Sequence, residues 1–100
     1  MTEIKPYYNG GLQALQKFLE ANTRYPEEAR KAGVQGKVYV SFTVNKEGKI
    51  TDSKIMRSVS PLLNDEALRV TNLMKDWNPG SFNGQKVDMA VNMPVEFSLK

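Results

Sequence analysis

From Val87 to Leu99 the chain alternates. Val87, Met89, Val91, Met93, Val95, Phe97 and Leu99 are apolar, whereas Asp88, Ala90, Asn92, Pro94, Glu96 and Ser98 between them are small, polar or charged. A period of two is that of a strand with one buried face. Pro94 has no amide to give to a ladder, so the stretch is expected to lie at a sheet edge or to contain a bulge. A second alternating run follows Gly36, where Val38, Val40, Phe42 and Val44 are separated by Tyr39, Ser41 and Thr43. The turn Asn45-Lys46-Glu47-Gly48 then predicts a hairpin, with Ile50 to Ser58 as the return strand. Ile50 and Ile55 are an odd number of positions apart, so both reach one face only if the return strand carries a bulge.

Two other stretches repeat at helical spacing. Leu12, Leu15, Phe18 and Leu19 set a helix from about Leu12 to Asn22, after the turn signal Asn9-Gly10-Gly11. Leu63, Ala67, Val70, Leu73 or Met74, and Trp77 set a later helix, with Asn64 as its N-cap, Asp65 and Glu66 in its first turn, and an end near Asp76. Between the first helix and the hairpin, Pro26 followed by Glu27 and Glu28 predicts a short helix start, and Gly33 its stop. Asn78-Pro79-Gly80 and Asn83-Gly84 lead into the final strand.

The order is thus helix, hairpin, helix, strand. Strands with one apolar face, and helices with one apolar stripe, pack most economically as two layers. The expected fold is α+β, a two-layer sandwich in which a three-stranded antiparallel sheet, in the order 2-1-3, carries two main helices on one face. The final strand then forms one edge, as Pro94 requires.

At 100 residues the chain is the size of one domain, and all of it, residues 1–100, is read as one, with residues 1–10 as an N-terminal extension. No apolar run approaches the roughly 18 residues of a membrane span, and the first residues lack the apolar core of a signal peptide. Met1 is therefore read as the start of an excerpt whose export signal or anchor lies elsewhere.

The composition contains neither cysteine nor histidine. That removes the thiol nucleophile, the Ser-His-Asp triad, the imidazole base and the usual zinc ligands, and the expectation is of no catalytic, metal or cofactor site. Glu47, Asp52, Asp65, Glu66, Asp76 and Asp88 occupy turns, helix starts and outward strand positions, where solubility accounts for them. The formal charge of +3 is mild. Lys37, Lys46, Lys49, Lys54 and Arg57 gather on the hairpin and read as a solvated face. Tyr39 and Phe42 have opposite parity, so one sheet face cannot offer both for base stacking, and no nucleic-acid partner is expected.

Specific residues in order carry a resemblance. Tyr25-Pro26, Ala29, Gly33-Val34-Gln35-Gly36, the alternation Val38 to Val44, Gly48-Lys49-Ile50, Glu66-Ala67, Trp77-x-Pro79-Gly80 and the closing Pro94-Val95-x-Phe97-x-Leu99 together resemble the TonB C-terminal domain family, in its form with a Gly-Gly start. The resemblance covers about residues 10 to 99. It implies a periplasmic domain of a protein anchored in the inner membrane of a Gram-negative bacterium. The implied partners are outer-membrane TonB-dependent receptors, whose TonB box adds as a strand to the last strand, and inner-membrane motor proteins reached through an N-terminal region.

On this resemblance the receiving edge comprises Asp88, Ala90, Val91, Asn92, Met93, Pro94 and Glu96. Met89 and Met93 share the apolar face and also read as core. The segment just before the tyrosine of the motif is implied to approach the receptor, which marks Asn22, Thr23, Arg24, Tyr25 and Pro26; Arg24 stands where the family often has a small amide or proline-flanked polar residue. Trp77, Pro79 and Gly80 read as a core anchor and helix stop.

An edge strand guarded by Asp88, Pro94, Glu96 and Lys100 is the plain alternative, and an excised edge of this kind can also pair with itself as a dimer. Two other functions fit the same residues: a TonB-like interaction module of a periplasmic signalling or metallopeptidase protein, and a basic surface for peptidoglycan or another anionic glycan.

Overall fold

The computed structural model describes residues 2–75 and 77–99. Two short strands, β1 (Glu3–Ile4) and β2 (Tyr7–Tyr8), precede the helices α1 (Gly11–Asn22) and α2 (Glu27–Lys31). The hairpin β3 (Gly36–Val44) and β4 (Ile50–Arg57) leads to α3 (Pro61–Leu73), then to the short strands β5 (Trp77–Asn78), β6 (Gly80–Phe82) and β7 (Gln85–Val87), and last to β8 (Met89–Phe97).

The main sheet is antiparallel in the order β4-β3-β8, the arrangement expected of the three long alternating segments. Inward positions of β3 are fully excluded from solvent: Val38, Val40, Phe42 and Val44 are at most 1% exposed. Met93, Val95 and Phe97 of β8 join them, beneath Leu63, Ala67 and Val70 of α3, Ala29 of α2 and Leu15 of α1. Each Val, Leu, Met or Phe among them contributes about 1.5–3 kcal/mol by leaving water, which is why the period of two specifies the register so firmly.

The bulge demanded by Ile50 and Ile55 is present. Between the pairs Ser41↔Lys54 and Thr43↔Thr51, β3 supplies one residue and β4 two. Asp52 there takes φ 55°, a left-handed conformation tolerated by short polar side chains. This bulge turns Ile50 and Ile55, opposite Val44 and Val40, both against the core, and a second irregularity follows between Val40↔Ile55 and Tyr39↔Arg57.

α2 ends as its sequence predicts. Gly33, at φ 70°, donates to the Arg30 carbonyl while Val34 donates to that of Ala29, the paired bonds of a Schellman stop.

α3 departs from expectation at both ends. Its N-cap is Ser60, whose Oγ accepts from the Leu62 amide, with Pro61 in the first turn. Asn64 is not the cap; it lies within the helix and accepts from Ser58 Oγ at 2.8 Å. Pro61, with its fixed φ and no amide to satisfy, suits this first helical position. At the other end the helix stops at Leu73, Met74 caps it, and Asp76, near which it was expected to end, lies outside the described residues. Met74 is buried and Leu73 exposed. Trp77 is no longer helical but sits in β5, edge-on to Phe42 at 5.4 Å and to Tyr8 at 5.6 Å.

The short strands carry no readable period, and none was anticipated. β1 pairs with β6 and β6 with β7, while β2 pairs with β5. Residues 2–8 are thereby stitched to the body, with Thr2 and Asn83 exchanging hydrogen bonds at the far end. The predicted final strand is also divided. Val87 belongs to β7, Asp88 breaks the run, and beyond β8 the Leu99 amide donates to Gln35 Oε1.

Candidate functional site: the edge of β8 and its groove

The orientation of each backbone group along β8 follows from two observations. Asn45 donates to the Lys49 carbonyl, so this residue of the β3 line points toward β4. Alternation then turns Val44, Phe42, Val40 and Val38 toward β8, where the register sets them opposite Met89, Val91, Met93 and Val95. The odd positions of β8 therefore complete the ladder. Ala90, Asn92, Pro94 and Glu96 direct their backbone groups outward, and Pro94, which lacks an amide, stands where no ladder bond is lost. All four are exposed. The edge thus offers outward carbonyls at four positions and amides at three.

Alongside lies a groove of about 660 Å³. One wall is the α1 stripe Leu12, Leu15, Gln16, Leu19 and Glu20, spaced i, i+3, i+4, i+7, i+8. The other is the second half of β8, Met93, Pro94, Glu96 and Phe97, with Lys37 and Ser98, and Thr23 and Tyr25 join the lining. Tyr25 stands edge-on to Phe97, with ring centroids 5.7 Å apart, and its hydroxyl donates to the Val34 carbonyl.

Residues 22–24 are clamped from behind by α3. Glu66 binds Arg69 through two hydrogen bonds, at 2.8 and 2.7 Å, and accepts from the Arg24 amide at 2.6 Å. Arg69 also donates to the Asn22 carbonyl at 2.8 Å. Burial raises the Glu66 carboxyl pKa, but the Arg69 hydrogen bonds, the Arg24 amide and the two nearby positive charges outweigh it and hold the group below its ordinary value. Arg69 is raised in turn, chiefly by its hydrogen bonds to Glu66. Neither residue had been singled out for this role, because the partners are 42 and 47 positions distant in sequence.

The candidate residues therefore divide. Thr23, Tyr25, Met93, Pro94 and Glu96 share the groove, and Ala90, Val91 and Asn92 continue the same strand beyond it. Asn22 caps α1 through its side chain onto the Phe18 carbonyl, the Arg24 side chain is exposed, and Pro26 is the N-cap of α2. Asp88 lies about 26 Å along the strand from Glu96 at ~3.3 Å per residue, and its Oδ1 accepts from the Lys46 amide. Met93 is 3% exposed and serves the core. Lys100, read as one guard of the edge, lies outside the described residues. The α1 wall went unrecognised because Leu12, Leu15 and Leu19 read equally well as core, yet Leu12 is 69% exposed.

A family model described as the C-terminal region of the Gram-negative bacterial TonB protein matches residues 21–99. The chain belongs to the TonB C-terminal family. Protein TonB of Helicobacter pylori strain J99 is 34% identical over 93% of this chain and 34% of its own length. Protein TonB of Xanthomonas campestris pv. campestris strain B100 is 33% identical over 76% of this chain and 34% of its own. This chain thus spans about a third of the length of these TonB relatives. The solution structure of the H. pylori TonB C-terminal domain, residues 194–285, superposes with a TM-score of 0.68 at 29% identity, covering 88% of this chain and 92% of that one. The α+β architecture deduced from periodicity is therefore that of a TonB C-terminal domain.

Proposed function

We propose that this chain is the receptor-gripping, periplasmic end of a TonB-type energy transducer, and that it takes up the TonB box of outer-membrane receptors as an added strand on β8. The observation that carries the reading is the outward array at Ala90, Asn92, Pro94 and Glu96, an open edge beside a groove in a chain of this family. The name TonB borne by the relatives favours a transducer over a signalling or peptidase module.

The energetics set the mode of use. Each backbone bond to the edge is worth a net ~0.5–1.5 kcal/mol, and association costs at least ~4 kcal/mol. Hydrogen bonds alone therefore hold a peptide weakly, and contacts near Tyr25 with tethering at the membrane supply the remainder. Several bonds along one strand are loaded together in shear when the peptide is pulled along its axis. An inner-membrane motor, acting through an N-terminal anchoring region, delivers that pull, so this domain is the hook and not the engine.

Titration of the isotopically labelled chain with TonB-box peptides, followed by amide NMR, tests the reading. Saturable shifts at Ala90, Asn92, Glu96 and Arg24 are expected. Shifts confined to Lys46–Arg57 on adding anionic glycan, with none along β8, would replace it by a surface module, and concentration-dependent β8 shifts without peptide would reveal self-pairing through this edge.

A further inference from the structure

Whatever adds to β8 must be extended, because only an extended backbone matches donors and acceptors repeated every second residue. Its side chains then alternate between two environments. Those set opposite Met93, Val95 and Phe97 fall on the core side, into the groove beneath α1, and those between them lie on the outer face beside Pro94 and Glu96. The groove floor is apolar, and its α1 wall exposes Leu12, which no neighbour covers. Its volume lies within the range of ligand-binding clefts. The charge on its rim is unbalanced: Glu20 and Glu96 have no ion-pair partner among the described residues, and Lys37 stands opposite Glu96 on the β3 side. On the open side Glu96 lacks a countercharge.

We infer that the groove between α1 and β8 selects, among extended peptides, those with apolar side chains at every second position and a lysine or arginine facing Glu96. This rests on the strand-addition reading and adds a selector to it. The selecting wall, Leu12 to Glu20, precedes the stretch shared with the family model, which begins at residue 21. Opposite charges across adjacent strands and apolar burial beneath a helix are the two physical sources of that choice.

The test compares three six-residue probes by amide NMR titration: leucines alternating with threonines and one lysine, the same peptide with serines for leucines, and the same with glutamate for lysine. The leucine–lysine probe is expected to bind about tenfold more tightly than the serine probe, shifting β8 amides and Leu12. Leu12→Ser, at an exposed side chain, leaves the unfolding midpoint in place and removes most of that difference. Glu96→Lys reverses the preference between lysine and glutamate probes. Equal binding of the leucine and serine probes along β8, or a Leu12→Ser variant that discriminates as before, would overturn the selector while leaving strand addition standing. Absence of β8 shifts with every probe and with TonB-box peptides would overturn both.

Discussion

Proline substitutions along β8 should divide sharply by parity. Val91 directs its amide at the Phe42 carbonyl, in a residue 1% exposed, so Val91→Pro leaves that carbonyl unpaired in the interior. An orphaned buried acceptor costs about 1–3 kcal/mol, and the lost ladder contact adds to it, against a total stability of about 5–15 kcal/mol for a domain of this kind. Asn92→Pro and Ala90→Pro remove amides that face water, at exposed positions whose neighbour Pro94 already occupies the same kind of site. Their stability should stay within about 1 kcal/mol of the parent. Urea unfolding of the three variants reads this as shifts in midpoint at constant slope. Peptide binding should run the other way, with Asn92→Pro weakening it about two- to tenfold through the loss of one outward donor. If Asn92→Pro unfolds the domain as readily as Val91→Pro, or if Val91→Pro leaves the midpoint unmoved, the assignment of inward and outward groups is wrong.

Other perturbations probe the scaffold behind the edge. Gly48→Ala should destabilise by at least ~1–3 kcal/mol in thermal unfolding, because Gly48 sits at φ 83° and an added Cβ would lie 2.5 Å from the Trp77 carbonyl oxygen; parental stability would mean that the turn can shift. Tyr8→Ala should cost about 3–5 kcal/mol, since the ring is 7% exposed and wedged between Phe18 and Trp77; a small loss in denaturant melts would show that residues 2–8 are ornamental. Because the Glu66 pKa is depressed on folding, its contribution to stability is present above the ordinary value of 4.5 and is lost as pH falls through the lower folded-state value. Glu66→Gln should therefore be less stable than the parent at pH 7, with the gap narrowing below pH 4.5. A gap that is unchanged at acid pH would assign its cause to packing.

The long elements were legible because each repeats a period that burial enforces. Val38 to Val44 and Met89 to Phe97 could only be strands with one wet face, and the odd spacing of Ile50 and Ile55 required the bulge that forms at Asp52. Gly33 announced the stop of α2, since few other residues accept its φ. Even the outward position of Pro94 was implicit, because its missing amide permits no other place in a paired strand.

Tertiary structure decided what no local pattern encodes. Two-residue strands such as Glu3–Ile4 and Tyr7–Tyr8 have no period and exist only because β6 and β5 pass beside them. The Glu66–Arg69 clamp on residues 22–24 joins positions more than 40 apart, and nothing in either segment announces the other. Leu12 and Leu15 belong to the same apolar stripe in sequence, yet packing buries Leu15 and leaves Leu12 exposed over the edge of β8. Periodicity specifies which face of an element turns inward; only the assembled layers decide where that inward face runs out of neighbours, and here it does so beside the open strand.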